Sequence, residues 1–127
     1  MFRPETIHID KPWGFFDQYA LNTVCTVKIL TCNPGEKLSL QRHAHREELW
    51  VALDDGAMVE LDGKCLHPKI GQEIWLPKGS LHRLGCSDMA SRPVRVLEVS
   101  FGEFDENDIE RLEDSYGRAY SSSATIN

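Results

Sequence analysis

The chain has 127 residues, of which 20 are acidic and 14 basic, and its formal net charge is −6. This length suits one domain and is too short for two well-formed cores. We therefore predict one domain over 1–127, with a core over about 11–118 and a flexible tail over 119–127. The acidic balance argues against a nucleic-acid binder, which normally carries a basic stripe. A small anionic substrate stays compatible with it, because a few local cations bind such a substrate.

Residues 1–6 contain no apolar segment of the kind found in a signal peptide. No stretch approaches the roughly 18 apolar residues that a membrane-spanning helix needs. The four cysteines lack the paired spacing of a zinc knuckle; they are Cys25, Cys32, Cys65 and Cys86. We therefore expect reduced thiols, a cytoplasmic location and no contact with a membrane.

Short strand-like segments, separated by turn residues, follow one another through the first hundred residues. They are, in chain order, 23–32, 38–45, 49–53, 57–61, 73–76 and 94–101. The turns between them contain Asn-Pro-Gly, Asp-Gly and Pro-Lys-Gly, which favour tight reversals of the chain. Many short strands at this spacing predict an all-β sandwich or barrel, with a jelly roll as one natural closure.

The segment from Asp105 to Gly117 differs from the strands before it. Ile109, Leu112 and Tyr116 recur at helical spacing among acidic residues. The first residue of the segment could cap a helix, and its last residue stands where a helix would stop. This pattern predicts a short C-terminal helix.

Three of the five histidines lie in two turn-rich places. If 38–45 is an extended strand, His43 and His45 point to the same face as Gln41. Two imidazoles at positions i and i+2 can then converge on one ion. Glu48 joins them if the chain bends after His45.

The second place is Gly71-x5-Pro77-x-Gly79-x2-His82, whose turn residues fix the direction of the histidine. A lone His-x-His pair is common without metal, but the two segments together predict a metal site. Three imidazoles and one carboxylate suit Zn²⁺, our first expectation, and also Fe²⁺, Mn²⁺, Co²⁺ or Ni²⁺. Such a set leaves coordination positions for substrate oxygens, as in catalytic metal sites.

These segments resemble the two motifs of the cupin superfamily, whose fold is a double-stranded β-helix or jelly-roll barrel. His43-x-His45-x2-Glu48 matches the first motif, and the residues that lead to His82 match the second. Cys86 stands where the second motif usually has Asn. The resemblance implies that the four matched residues hold one divalent metal ion.

A longer series of motifs is similar to the type II mannose-6-phosphate isomerase cupin, which also occurs fused after a mannose-1-phosphate guanylyltransferase domain. The series comprises Lys11-Pro-Trp-Gly14, Val27-Lys28, Asn33-Pro-Gly35, the segment from Leu38 to Trp50, Leu76-Pro-Lys-Gly-x-x-His-Arg83, Leu97-Glu-Val99 and Asp108-Ile-x-Arg-Leu-x-Asp-x-Tyr-Gly-Arg118. Only the isomerase-like module is present here, so we expect a free-standing enzyme.

The resemblance implies interconversion of mannose 6-phosphate and fructose 6-phosphate through an enediol. The metal ion would polarise the sugar carbonyl as a Lewis acid. Glu98 is a candidate for the base that moves the proton, although strand parity does not say which face of 94–101 is interior. Glu48 is the alternative base if it is not a ligand.

Further residues near the motifs are candidate substrate contacts. Arg46, Arg83 and Lys37 could bind the phosphate group, because guanidinium and ammonium groups pair with phosphate oxygens. Gln41 could hydrogen-bond a sugar hydroxyl. We expect Lys28 to be exposed on its strand.

Two other functions stay open at this point. A cupin without activity could bind a sugar phosphate or a sugar nucleotide. A cupin with the same ligands could also be a dioxygenase-type or decarboxylase metalloenzyme that uses Fe²⁺ or Mn²⁺. By analogy with small cupins, we expect a homodimer.

Overall fold

The computed structural model describes residues 5–117, which form eleven β-strands. The strands are, in chain order, β1 (Ile7–Lys11), β2 (Gly14–Gln18), β3 (Cys25–Cys32), β4 (Leu40–Arg42), β5 (Glu47–Ala52), β6 (Ala57–Leu61), β7 (Lys64–Leu66), β8 (Glu73–Leu76), β9 (His82–Cys86), β10 (Val94–Phe101) and β11 (Glu110–Glu113). All their pairings are antiparallel. The predicted all-β fold is confirmed.

Two large sheets face each other. One has four strands in the order β3-β10-β5-β8, and the other has five in the order β11-β4-β9-β6-β7. From β3 onward the chain crosses between these sheets at every connection except the β6–β7 hairpin. This alternation is the chain path of a jelly roll. β1 and β2 form a separate hairpin.

The main hydrophobic core lies between the two large sheets. Trp50 and Val96 extend into it from the four-stranded sheet, and Val59 and Leu84 extend from the five-stranded sheet. Each of these side chains is at most 2% exposed. Because side chains alternate along a strand, the sequence neighbours of these residues face away from this core.

A second hydrophobic cluster lies on the outer face of the four-stranded sheet. It consists of Leu49, Val51, Val99 and Phe101. Tyr19 and Ala20, in the segment after β2, pack against it. β5 is therefore buried along its whole length, with core residues on both of its faces.

The predicted C-terminal helix is wrong. The Asp105 side chain accepts a hydrogen bond from the Asn107 backbone N–H at 2.9 Å, so it stabilises a turn instead of a helix. The chain then enters β11, which pairs with β4. Ile109 and Arg111 are buried while Leu112 is exposed, which is the alternation of a strand. Pairing with a distant strand has overridden the helical spacing of the apolar residues.

Several other predictions can be compared with the described residues. β6, β8 and β10 have the predicted bounds, whereas β1, β2, β7, β9 and β11 were not predicted as strands. All four cysteines are free thiols, as expected. The predicted tail, 119–127, lies outside the described residues. Within 5–117 the chain forms no helix long and apolar enough to cross a membrane. The cytoplasmic location and the homodimer stay predictions.

The placement of the core predicts a large effect for Leu84→Ala, because Leu84 is fully buried between the sheets. We expect the free energy of unfolding, measured by urea denaturation, to fall by about 2–5 kcal/mol. Leu21→Ala is the matched control, since Leu21 is 64% exposed, and its effect should stay below about 0.5 kcal/mol. Equal losses in the two variants would contradict this core.

Candidate metal centre

One end of the barrel interior is polar. On the inner face of the four-stranded sheet, Glu98 and Ser100 on β10 lie beside β5, where Ser100 pairs with Glu48. On the five-stranded sheet, Gln41 pairs with His82. These five residues are each at most 5% exposed. Strand parity left the direction of Glu98 open, and the structure shows that it points inward.

Three side chains converge at this polar end. His43, Glu48 and His82 each bring one ligand atom to within 4.8 Å of the others. His82 Nε2 lies 3.6 Å from Glu48 Oε1, and His43 Nε2 lies 3.8 Å from Glu48 Oε2. Bonds of about 2.0–2.2 Å to Zn²⁺ place neighbouring ligand atoms roughly 3–3.5 Å apart. The three ligand atoms therefore have to close by up to about 1.3 Å to share one ion.

Both imidazoles turn Nε2 toward the group. His43 Nδ1 donates to the Asp108 carbonyl oxygen at 2.7 Å, and His82 Nδ1 donates to the Ser80 carbonyl oxygen at 3.1 Å. A carbonyl oxygen only accepts hydrogen bonds, so Nδ1 carries the proton in each neutral ring. The lone pair of each Nε2 then points to the group, and its direction is fixed by these hydrogen bonds. Arg46 Nη2 donates to His43 Nε2 at 3.4 Å, and a metal ion would take the place of this long hydrogen bond.

Glu48 has one satisfied and one orphaned oxygen. Oε2 accepts hydrogen bonds from Arg46 Nε at 2.9 Å and from Ser100 Oγ at 3.1 Å. Oε1 is buried and has no hydrogen-bond partner among the described residues. An unsatisfied buried polar atom costs about 1–3 kcal/mol, and more when it is charged. A cation beside Oε1 would offset this cost, so the donor set fits a divalent metal ion.

The protonation states of the three residues also suit metal ligands. Burial lowers the pKa of His43 to about 4 and lowers the pKa of His82 as well. Burial alone would raise the pKa of Glu48, but the charges of His43, His82 and Arg46 hold it below its ordinary value. Near neutral pH the imidazoles are therefore neutral and the carboxylate is ionised, which are the forms that bind metals.

The structure does not bring His45 into this group. β4 ends at Arg42, and the chain bends at Ala44 and His45, so the strand alternation behind the prediction stops too early. His45 is exposed. The remaining set, two histidines and one carboxylate, occurs with catalytic Zn²⁺ and with non-haem Fe²⁺.

Asp108 also shapes the group, although it is not among the predicted site residues. Its carboxylate accepts hydrogen bonds from the backbone N–H groups of Ala44 at 2.8 Å and His45 at 2.9 Å. Its carbonyl oxygen accepts the hydrogen bond from His43 Nδ1. One residue thus holds the bend that follows His43 and the tautomer of its ring. Asp108 is the first residue of the last motif that resembles the isomerase cupin, and this position was the one sign in the sequence that it matters to the site.

Glu98 lies in the same polar end and accepts a hydrogen bond from Trp50 Nε1 at 3.1 Å. Burial and the charge of Glu48 raise the pKa of Glu98 to about 7, against the Trp50 hydrogen bond and the charges of Arg46 and Lys28. A carboxyl group with this pKa can both take and give a proton near neutral pH.

Two of the predicted substrate contacts lie inside the barrel. Gln41 is buried beside His82, and its amide group donates to the Ser39 carbonyl and hydroxyl oxygens at 3.2 and 3.0 Å. Arg46 is buried next to His43, Glu48 and His82, which are called the metal-ligand group below. Besides Glu48, its guanidinium contacts the Asp105 carbonyl oxygen at 3.1 Å.

Two other predicted contacts are elsewhere. Arg83 follows His82 on β9, so its side chain points to the outer face of the sheet. Its Nε donates to Glu60 and its Nη2 donates to Glu113, both at 2.6 Å. Lys37 and Arg83 line a separate recess of about 220 Å³ on that outer face. The structure does not bring Lys37 or Arg83 to the metal-ligand group.

The three-residue group predicts which histidines a metal requires. We expect His43→Ala and His82→Ala each to lower the content of tightly bound divalent metal at least about tenfold, because each removes one of three donors. Elemental analysis of protein purified without a metal-binding tag measures this. His45→Ala is the matched control and should keep the wild-type content. A loss in that control as large as in His82→Ala would contradict the group.

The raised pKa of Glu98 predicts a pH-dependent stability. Between about pH 4.5 and 7, the folded chain keeps a proton on Glu98 that the unfolded chain has released. The free energy of unfolding of metal-free wild type should therefore fall with rising pH in this window, relative to Glu98→Gln, by at most about 1.4 kcal/mol per pH unit. Urea denaturation at several pH values tests this. A constant difference between the two proteins would show that Glu98 is not perturbed.

Comparison with known proteins places the chain in a family. A family model described as "Mannose-6-phosphate isomerase C-terminal" matches residues 4–114. The alginate biosynthesis protein AlgA of Pseudomonas aeruginosa is 39% identical over 109 residues, which cover 85% of this chain and 22% of AlgA. The mannose-1-phosphate guanylyltransferase of Escherichia coli is 36% identical over 109 residues, which cover 85% of this chain and 22% of that protein. The chain thus spans about a fifth of the length of these curated relatives.

Solved structures share the fold. A cupin 2 domain-containing protein from Halorhodospira halophila has a TM-score of 0.58 and 18% identity, over 78% of this chain and 62% of that one. A Klebsiella pneumoniae protein with a double-stranded β-helix domain has a TM-score of 0.55 and 21% identity, over 64% of this chain and 69% of that one. The predicted double-stranded β-helix is confirmed. The chain is a cupin that belongs to the mannose-6-phosphate isomerase C-terminal family.

Proposed function

We propose that this chain is a metal-dependent isomerase that interconverts mannose 6-phosphate and fructose 6-phosphate. The observation that carries the proposal is the pairing of a metal-ligand group with Glu98, a buried carboxyl group of pKa about 7, at one end of the barrel. The family is named for mannose-6-phosphate isomerase, which supports the substrate class.

The reaction needs proton transfer and no external oxidant. Removal of the proton at C2 of the open-chain aldose gives an enediol, and protonation at C1 gives the ketose. C1 is reduced and C2 is oxidised within the same molecule, so electrons balance. When bound, a divalent ion on His43, Glu48 and His82 supplies a Lewis acid for the sugar oxygens.

We assign the proton transfer to Glu98. The same group has to accept a proton and return it within one turnover, and a pKa near the working pH suits both steps. The hydrogen bond from Trp50 fixes the direction of the carboxyl group. Glu48 is the weaker choice, because its pKa is lowered and its oxygens face His43 and His82. Gln41, beside His82, is our choice for a contact to a sugar hydroxyl.

A dioxygenase-type activity is the second candidate. The observation that favours it is the set of two histidines and one carboxylate, which non-haem Fe²⁺ oxygenases share. The protonatable Glu98 distinguishes the two candidates, because the enediol reaction requires an acid–base group and the ligand set alone does not supply one. A binding module without activity would need neither open coordination positions nor Glu98.

A coupled assay that follows fructose 6-phosphate formed from mannose 6-phosphate tests the proposal. We expect turnover that is lost on chelation and restored by divalent metal. Glu98→Gln should lower kcat by about 10²–10⁴-fold with unchanged metal content, because glutamine cannot carry the proton. Glu106→Gln, an exposed acidic residue, is the control and should keep wild-type kcat.

The outcomes separate the candidates. Full activity of Glu98→Gln would assign the proton transfer to another group. Metal-loaded wild type without turnover would contradict the isomerase, and oxygen uptake with another substrate would then favour the second candidate. Binding of mannose 6-phosphate without turnover would identify a binding module.

A further inference from the structure

Lys28 points into the polar end of the barrel. It pairs in register with Glu98, and paired residues of antiparallel strands present their side chains on the same face. Its side chain is half-buried, and Nζ lies 4.2 Å from the ring centroid of Phe104. The expectation of an exposed Lys28 is therefore wrong, and a cation stands beside the proposed proton-transfer group.

Arg46 shares the aromatic ring with Lys28. Arg46 Cζ lies 4.4 Å from the Phe104 centroid. A cation over an aromatic face is attracted by the electron-rich ring, which holds a flexible side chain in place. Phe104 therefore contacts both cationic side chains. One of them, Arg46, also contacts the metal ligand Glu48.

The two cations differ in how far their charge is compensated. Arg46 is paired with the Glu48 carboxylate at 2.9 Å. Within the described part of the chain, Lys28 makes no ion pair, and its contact is the Phe104 ring. Glu98, which pairs in register with Lys28, has a pKa of about 7. Because Glu98 is therefore only partly ionised near neutral pH, it compensates the charge of Lys28 only in part. Lys28 thus retains positive charge for an external anion.

The cations outside the barrel have a different environment. Arg83 is tied to Glu60 and Glu113 on the outer face of the five-stranded sheet. Lys37 lines the recess on that face with Arg83. Neither shares a sheet face with His82. A ligand bound at the metal-ligand group, inside the polar end of the barrel, therefore has Lys28 and Arg46 as its neighbouring cations and not Lys37 and Arg83.

We propose that Lys28, together with Arg46 on the shared Phe104 ring, binds the phosphate group of the substrate. This inference rests on the proposed function, because that function makes the substrate a sugar phosphate. A phosphate monoester carries close to two negative charges near neutral pH and pairs with ammonium and guanidinium groups. In a chain of net charge −6, local cations are needed to attract such a ligand.

Binding of inorganic phosphate to the metal-loaded protein tests the subsite without any turnover. We expect Lys28→Gln to raise the Kd for phosphate, measured by isothermal titration calorimetry, at least about tenfold, because a charge-assisted hydrogen bond is lost. Lys37→Gln is the matched control and should bind like wild type. Lys28→Arg should recover most of the affinity, since it restores the charge. Circular dichroism and metal content verify that each variant is folded and loaded.

The same variant separates this inference from the proposed function. With mannose 6-phosphate as substrate, Lys28→Gln should raise KM at least about tenfold. Phosphate binding that depends on Lys28, in a protein that does not turn over mannose 6-phosphate, would refute the isomerase and support the subsite. Equal phosphate affinity in wild type and Lys28→Gln, including binding held by the metal alone, would overturn the subsite. Absence of phosphate binding in wild type would overturn it as well.

Discussion

The Glu48 carboxylate lies buried between the two large sheets, and the arrangement of the polar end follows from the need to compensate its charge. Removing an ionised carboxylate from water costs several kcal/mol unless partners surround it. Arg46 and Ser100 serve one oxygen, while the other faces His82 without a hydrogen bond. The sheets therefore meet here through charge and hydrogen bonding. At the other end of the barrel they meet through apolar contact.

Trp50 connects these two ends. It belongs to the hydrophobic core, and its ring lies edge-on to His82 with centroids 5.5 Å apart. Its Nε1 donates to Glu98. Packing of one large side chain thus orients both a candidate metal ligand and the proposed proton-transfer group. The close-packed core, which resists deformation, therefore helps to fix the geometry of His82 and Glu98.

Local patterns could be predicted from the sequence, and pairings between distant segments could not. Alternation and Gly-Pro turns are local, so six of the eleven strands in the described residues were predicted, three of them with their observed bounds. That the two motif segments come together was predicted from the motif pattern, not from strand pairing, and the structure brings His43, Glu48 and His82 together. The structure leaves His45 outside the group, because parity holds only while a strand continues and Asp108, 63 residues further on, holds the bend. Arg83 forms its ion pairs with carboxylates 23 and 30 residues away in the sequence, so these pairs could not be predicted from local pattern. The inward face of Lys28 follows from pairing with β10, and the helical spacing before Gly117 gave way to pairing with β4.

The order of the strands has a consequence for biosynthesis. β10 lies between β3 and β5 in the four-stranded sheet, although it is the second-last strand of the described chain. A nascent chain that has emerged only as far as β9 therefore contains His43, Glu48 and His82, but Glu48 has only β8 beside its strand and lacks both β10 and the Ser100 hydrogen bond. Asp108, which fixes the His43 ring, is translated later still. The candidate metal-ligand group therefore takes its folded arrangement only after β10 and Asp108 have been synthesised.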